Sequence, residues 1–288
     1  MWKKYSKKIL CSLNDKNYVR AMYFIRHKRI LNLRNPRKFS EKLQWLKLYD
    51  RNPLYVSMVD KFDVKSYVKS RIGEKYVIPT YGLYESVDQI DFNSLPDSFV
   101  IKPTHLGGGM GVCLCNKKRE FDENEIRQIL RRSLSQEIFT ATREWPYKEL
   151  KPRIIAEKML VSDSEEGLKD YKIFCCNGKP KLVKVNYKYY GDYASNWYTS
   201  DWKYVEGTTV YDPSHSNYLI PPPQHLEEML NLSEELSSGF TFMRVDFYET
   251  DEGIFFGEIT FYPGSGFEKF IPTSFDYEIG SWIELPKR

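Results

Sequence analysis

Lys102 closes an apolar strand, and four glycines follow it within five residues in the stretch IKPTHLGGGMGV, Ile101 to Val112. Glycine costs about 0.5–1 kcal/mol against alanine in a regular element, so such a run marks backbone that turns tightly or lies against a ligand. Backbone N–H groups with no side chain in the way form a cradle for anions, phosphate above all. A lysine that ends a buried strand calls for an anion as well. A second constellation stands in MRVDFYETDEGIFFGEITFYPGSGF, where Asp246 and Glu258 fall on the two arms of a hairpin turning at Thr250–Glu252. Two carboxylates facing each other across a ladder repel and desolvate badly unless a cation lies between them. Mg2+ suits that place, because it takes carboxylate oxygens together with substrate phosphates. The period of two puts Arg244 on the same face as Asp246. The plain alternative is a solvated hairpin carrying ordinary charges. A P-loop would need its lysine after the glycines and a helix beyond them, so neither that motif nor a dinucleotide-binding turn fits.

These residues need a body to position them. The chain has 288 residues, 41% hydrophobic and 28% charged, the balance of a globular protein with one large domain or two lobes. Net charge is +4, unevenly placed: residues 1–38 hold 12 Lys/Arg against Asp15 alone, so this arm carries +11 and the remainder −7. A basic arm on an acidic body points to an anionic partner for the arm, or to packing of the arm on the body. Residues 1–30 carry charges throughout, which predicts neither a secretory signal nor a membrane span. With five cysteines at 11, 113, 115, 175 and 176, an odd number, the expectation is a reducing cytoplasm. No pair has CxxC spacing, so small buried side chains are expected rather than a metal site.

The spacing predicts an amphipathic helix through Trp2, Tyr5, Ile9, Leu10 and Leu13, and a second apolar cluster from Tyr18 to Ile25. Ser40 reads as the N-cap of a helix that Pro53 ends, and residues 57–72 read as one further helix. Short strands are expected at Tyr76–Pro79, Ser98–Lys102, Gly111–Cys115 and Arg153–Leu160, with a helix over Asp122–Ser135. Asn177-Gly178 marks a hairpin joining Tyr171–Cys176 to Lys181–Tyr187. Residues 206–224 read as a Pro- and Tyr-rich loop, 224–238 as a helix, and Phe240–Glu249 with Gly253–Phe261 as the last hairpin. Strands and helices mix, so the class is α+β or α/β.

Taken in order, these pieces resemble the ATP-grasp enzymes over roughly Asp60 to Gly266. The resemblance rests on Asp60-Lys61, then Ile78-Pro79, then Lys102 with the glycine flap. It continues with Glu157-Lys158-Met159-Leu160, then Arg244-Val245-Asp246, Glu258-Ile259-Thr260 and Pro263-Gly264. More narrowly, NPRKFSEKLQWLKLYDRNPLY, DYKIFCCNGKP and GEITFYPGSGFEKF resemble the TupA-like subgroup, associated with teichuronopeptide and other bacterial surface-polysaccharide synthesis.

The resemblance implies an α+β, ATP-grasp fold: two α+β lobes gripping ATP, with a basic N-terminal helical extension over 1–56. The first lobe would span 57–152 and the second 153–288. It also implies roles. Lys61 and Lys102 would hold the α- and β-phosphates, and Gly107, Gly108, Gly109, Met110 and Gly111 would close over them. Glu157, Lys158, Met159 and Leu160 would bind adenine, partly through main chain. Asp170 would take the ribose hydroxyls and Lys172 the γ-phosphate. Arg244 would steady the acyl phosphate and the tetrahedral adduct. Asp246, Glu258 and Thr260 would hold Mg2+, Thr260 standing where the family usually has Asn, which bears on a second Mg2+. His105 is a candidate substrate contact beside the flap.

The implied reaction is ADP-forming carboxylate–amine ligation through an acyl phosphate. The partners would be a uronic acid or amino-acid carboxylate and an amine. An ATP-grasp phosphotransferase acting on a sugar is the first rival, and a glycosyltransferase-accessory module the second. The basic arm is expected to touch an anionic membrane at the inner face of the plasma membrane, and no nucleic-acid partner is expected.

Overall fold

The computed structural model describes residues 10, 12–162, 164, 166–210 and 214–287. Most of the amphipathic start, and Cys11, lie outside them. The glycine flap joins two strands, as its position between apolar runs requires. Strands β1 (Thr80–Tyr84), β2 (Phe99–Pro103), β3 (Cys113–Cys115) and β4 (Ile154–Glu157) form an antiparallel sheet in the order β1-β4-β2-β3. Helix Glu123–Leu134 covers it with Ile126 and Leu130, and Asp122 caps that helix by accepting from the N–H groups of Asn124 and Glu125.

The second sheet is larger. Strands β5 (Asp170–Cys176), β6 (Lys179–Tyr189), β7 (Asp192–Thr199), β8 (Tyr204–Val205), β10 (Phe242–Thr250) and β11 (Gly253–Thr260) lie in the order β11-β10-β5-β6-β7-β8, with each adjacent pair antiparallel. A two-stranded piece pairs β9 (Thr208–Thr209) with β12 (Phe270–Ile271). One face of the large sheet packs Phe174, Trp197 and Phe242 against Phe39, Phe270 and Phe275. Helix Phe39–Tyr49 and helix Thr273–Ser281 bring two of those rings. Burying several aromatic side chains in one contiguous cluster gives this lobe its main hydrophobic stabilisation.

Several elements differ from expectation. The predicted strand Tyr76–Pro79 lies instead at Thr80–Tyr84, because Glu74–Tyr76 form a 3-10 turn. Ser40 is not an N-cap: the helix starts at Phe39 after Lys38, and the Ser40 hydroxyl donates to buried Asp276 at 2.7 Å. Residues 57–72 are not one helix. Leu54–Val59 and Val64–Ile72 are separated by a break in which Asp60, fully buried, accepts from the N–H groups of Phe62 and Asp63. An aspartate that bonds nearby N–H groups offers the backbone an alternative to continuing the helix. Strand β4 stops at Glu157, and Lys158–Leu160 run on as irregular chain. Strand β4, which the division expected at 153 assigns to the second lobe, pairs with β1 and β2 of the small sheet. Strand β7 and the Thr273–Ser281 helix have no counterpart in the sequence reading.

Candidate active site

Register places the charged residues of the large sheet in one line. Asp246 stands opposite Glu258 on one side and opposite Lys172 on the other, and Arg244 stands opposite Thr260. All face the same side, as a period of two demands. Asp246, 1% exposed, is gripped by Arg244 through two contacts, Nε at 2.7 Å and Nη2 at 2.6 Å, and by Lys172 Nζ at 2.6 Å. Arg244 Nη2 also donates to Glu258 Oε1 at 2.7 Å, and Lys172 pairs with Asp170 at 2.5 Å. The Thr260 hydroxyl donates to Glu258 Oε1 at 3.3 Å. Charge-assisted bonds of this kind hold the side chains in fixed orientations.

Lys61 joins this line from the break between helices. Its amide donates to Thr104 O, its ammonium to Leu106 O, and Nζ lies 3.9 Å from Glu258 Oε2. Burial pushes Lys61 down, with Glu258 opposing and Lys102 adding to the fall. Burial would raise the Glu258 carboxyl, but Lys61, Arg244 and Lys172 outweigh it and bring it down to about 2. Lys172 is held above the ordinary lysine value: burial opposes, and Asp170 and Asp246 overcome it. Burial raises the Asp246 carboxyl, yet with a permanently charged guanidinium and an ammonium bound to it the carboxylate form is retained.

A second cluster sits on the small sheet. Glu157, 3% exposed, pairs with Lys102 and with Lys65. Lys65 also donates to Ile78 O and the Thr80 hydroxyl, both at 2.7 Å. Burial raises Glu157, but Lys102 and Lys65 together bring it below the ordinary value. Lys158 reaches across to Glu252, at the turn of the β10–β11 hairpin, at 2.6 Å, while its amide donates to Pro79 O. Met159 is buried and Leu160 half-buried.

The flap runs from β2 to β3. Gly108, Gly109 and Gly111 have φ of 61°, 74° and 71°, a region that favours glycine. A Cβ at Gly107, Gly108 or Gly109 would meet open space, whereas one at Gly111 would fall 2.2 Å from Ser133 Oγ. Met110 is 42% exposed at the tip. His105 is buried behind the flap, and burial lowers its pKa.

The structure thus unites Lys61, Asp170, Lys172, Arg244, Asp246, Glu258 and Thr260 in one network and ties Lys102 to Glu157 beside it. Lys65 escaped the sequence reading, although in the single helix expected over 57–72 a lysine four residues after Lys61 would share its face. So did Glu144, which accepts from Ser265 Oγ at 2.7 Å in the loop after β11, and Lys47, whose ammonium donates to Ser265 O at 2.6 Å. Burial raises Glu144 and lowers Lys47 to about 7. The four described cysteines are buried thiols, and no group of three or more His, Cys, Asp or Glu side chains able to hold a metal occurs among the described residues.

Among curated proteins none matches the chain. Solved structures with similarity include the D-alanine–D-alanine ligase of Helicobacter pylori, at 17% identity over 85% of this chain and 69% of that one, TM-score 0.43. The Bacillus anthracis D-alanine–D-alanine ligase aligns at 17% identity over 70% and 56%, TM-score 0.41. PurK, an N5-carboxyaminoimidazole ribonucleotide synthetase, in its ADP complex aligns at 16% over 77% and 50%, TM-score 0.44. The chain covers between 50% and 69% of the length of these proteins. The profile of the family described as TupA-like ATPgrasp matches residues 41–284, and the chain belongs to that ATP-grasp family.

Proposed function

We propose that this chain is an ATP-dependent, ADP-forming carboxylate–amine ligase that makes an amide through an acyl phosphate. Its carboxylate substrate would be a sugar acid or an amino acid, in bacterial surface-polysaccharide assembly. The observation that carries this reading is the continuous network from Lys61 through Glu258, Arg244, Asp246 and Lys172 to Asp170. Buried charges are costly unless they are paired, and they concentrate where charge must be handled.

The residues fit Mg2+ and ATP. The donor set at Asp246, Glu258 and Thr260 is all oxygen, which suits a hard cation that keeps water and phosphate ligands. Open space where a Cβ would stand at Gly107–Gly109 leaves backbone N–H groups approachable. Asp170 Oδ1 is buried without a partner, an acceptor available to a ribose hydroxyl. In this reading Lys61 and Lys102 hold phosphates and Lys172 the γ-phosphoryl group. Lys158, Met159 and Leu160 line adenine, and Glu157, its carboxylate committed to Lys65 and Lys102, contributes main chain. Bound Mg2+–ATP supplies the phosphoryl group and masks its charge. Arg244 commits Nε and Nη2 to the two carboxylates, and Nη1 is its donor for the carbonyl oxygen on which negative charge gathers when the amine attacks. The flap shields the acyl phosphate from water.

The basic arm belongs to the same proposal: it would hold the enzyme at an anionic bilayer. Phe24, Ile25 and Ile30 are 55%, 44% and 86% exposed, among the exposed bases Lys16, Arg20, Arg26, Lys28, Arg29 and Arg34. No described helix is long and apolar enough to cross a membrane.

The test is a screen of uronic acids and amino acids with Mg2+–ATP and hydroxylamine. A hydroxamate together with ADP supports the ligase. A stable phosphorylated sugar with no hydroxamate replaces it with the phosphotransferase.

A further inference from the structure

A cleft of about 630 Å3 opens between the helix Asp15–His27, the loop that follows it, the helix Phe39–Tyr49 and residues 283–286 near the C-terminus. Lys16, Arg20, Arg34 and Lys42 line it, against one carboxylate, Glu284. Lys16, Arg20 and Arg34 are exposed, and none of the three has an ion-pair partner among the described residues. Asp15, the one acid of the first 38 residues, is turned instead to Arg143, at 3.7 Å. Lys42 is fixed in the cleft by donating to Ile283 O at 2.6 Å. Like charges gathered in one cleft repel each other and raise the local concentration of anions, so this lining calls for an anionic ligand.

The kind of cation narrows the anion. A carboxylate brings a single charge, and Glu284 already supplies one. A phosphomonoester brings about −1.5 to −2 at pH 7 together with three acceptor oxygens. Arg20 and Arg34 present planar forks that take phosphate oxygens in pairs. Lys16 and Arg20 stand four residues apart on one helical face, and Phe24, 55% exposed, continues that line about 6 Å further along the axis. An anion held at Lys16 and Arg20 can therefore lay an attached apolar chain along Phe24. Trp45 and Tyr49, edge to face with centroids 5.3 Å apart, add an aromatic wall.

We propose that this cleft is a binding site for a phosphomonoester dianion, either free or as the headgroup of a lipid whose chain follows Phe24. The site stands apart from the ligase chemistry. Its lipid form rests on the bilayer contact proposed above, and replaces diffuse attraction to negative charge with recognition of one headgroup chemistry.

The test has two arms, both on the full chain. Calorimetry compares glycerol 3-phosphate with D-glycerate, a carboxylate of similar size. Cosedimentation compares phosphatidylcholine vesicles carrying phosphatidate, a lipid phosphomonoester, with vesicles carrying phosphatidylglycerol, a phosphodiester, at equal surface charge. Glycerol 3-phosphate is expected to bind about tenfold more tightly than D-glycerate, and phosphatidate vesicles to retain about threefold more protein than phosphatidylglycerol vesicles. Arg20→Gln and Arg34→Gln, at exposed positions where folding is not at risk, should each weaken both by about fivefold or more. Arg29→Gln, an exposed base outside the cleft, should change neither by more than about twofold. Loss of phosphatidate retention in Phe24→Ser, with glycerol 3-phosphate binding unchanged, assigns the lipid source. Preference for glycerol 3-phosphate without preference for phosphatidate assigns the free one. The proposal is overturned if neither phosphomonoester is preferred to its control, or if Arg29→Gln costs as much as Arg20→Gln. Equal retention on both anionic vesicles would then still uphold the bilayer contact. No retention on any vesicle removes that contact, and the calorimetry alone decides the cleft.

Discussion

Asp246 and Glu258 face each other across β10 and β11, and the same nitrogen of Arg244 donates to both, at 2.6 and 2.7 Å. The guanidinium thus holds together two carboxylates that would otherwise repel. The same guanidinium fixes the orientation of both acids.

Asp246→Asn and Glu258→Gln should each reduce ADP formation by about 10²-fold or more, the scale of one lost electrostatic contact to a transition state. Both changes keep shape, so circular dichroism should stay that of the wild type. Wild-type turnover in either variant would remove that residue from the site.

Lys65→Met leaves the buried Glu157 carboxylate with Lys102 alone. The expected loss in urea unfolding is about 1–3 kcal/mol, the cost of an under-satisfied buried group. Glu157→Gln in the same background should recover part of it. An unchanged midpoint for Lys65→Met would show that Lys102 alone satisfies Glu157.

His27 packs its ring on Tyr23 with centroids 4.0 Å apart, and burial, aided by Lys38, lowers its pKa from 6.5 to about 4. The folded state therefore favours the neutral ring and the unfolded state binds the extra proton. The stability from this site is complete above pH 6.5 and is lost as pH falls toward 4. His27→Phe should flatten the melting-temperature profile across that window, and a profile of unchanged slope would contradict the assignment.

Gly111→Ala meets both a positive φ and a Cβ 2.2 Å from Ser133 Oγ, whereas Gly109→Ala meets only the φ. Gly109→Ala should cost about 1–2 kcal/mol, the price of a left-handed alanine. Gly111→Ala should cost clearly more, and Ser133→Ala in the same chain should return part of the difference. Equal losses for the two glycines would mean that Ser133 moves aside freely.

Phe24→Ser, Ile25→Ser and Ile30→Ser combined should reduce cosedimentation with vesicles containing anionic phospholipid, and added salt should reduce it further. Each basic side chain near such a surface contributes about 1 kcal/mol, so neutral vesicles should retain far less protein. Equal binding to both vesicle types would dismiss the membrane contact.

The common face of the hairpin charges was legible because strands alternate strictly: once Arg244, Asp246 and Glu258 are placed on two arms, only their register remains. Lys61 was harder. Its neighbours Val59, Phe62, Tyr67 and Val68 continue a helical pattern, and the break depends on where Arg153, distant in sequence, meets Asp60 at 2.9 Å. Ser40 misled for the same reason, since its partner Asp276 lies on the far C-terminal helix. Strand β7 went unseen because Ser195 and Asn196 interrupt its apolar pattern, and those polar residues make sense only beside β6. Lys65 could be placed on a face with Lys61, but nothing local tells a surface lysine from one buried on a glutamate.

The bridge from Lys158 to Glu252 has a mechanical meaning. It fastens the chain at the end of β4, an inner strand of the small sheet, to the free end of the hairpin that bears Asp246 and Glu258, as a stay fastens the tip of a boom. Lys158 keeps 29% of its side-chain surface in water and Glu252 63%, so dissolved ions weaken this fastening far more than they weaken the buried charges behind it. Ionic strength therefore acts on this tie between the two sheets before it acts on the buried ion pairs of the large one.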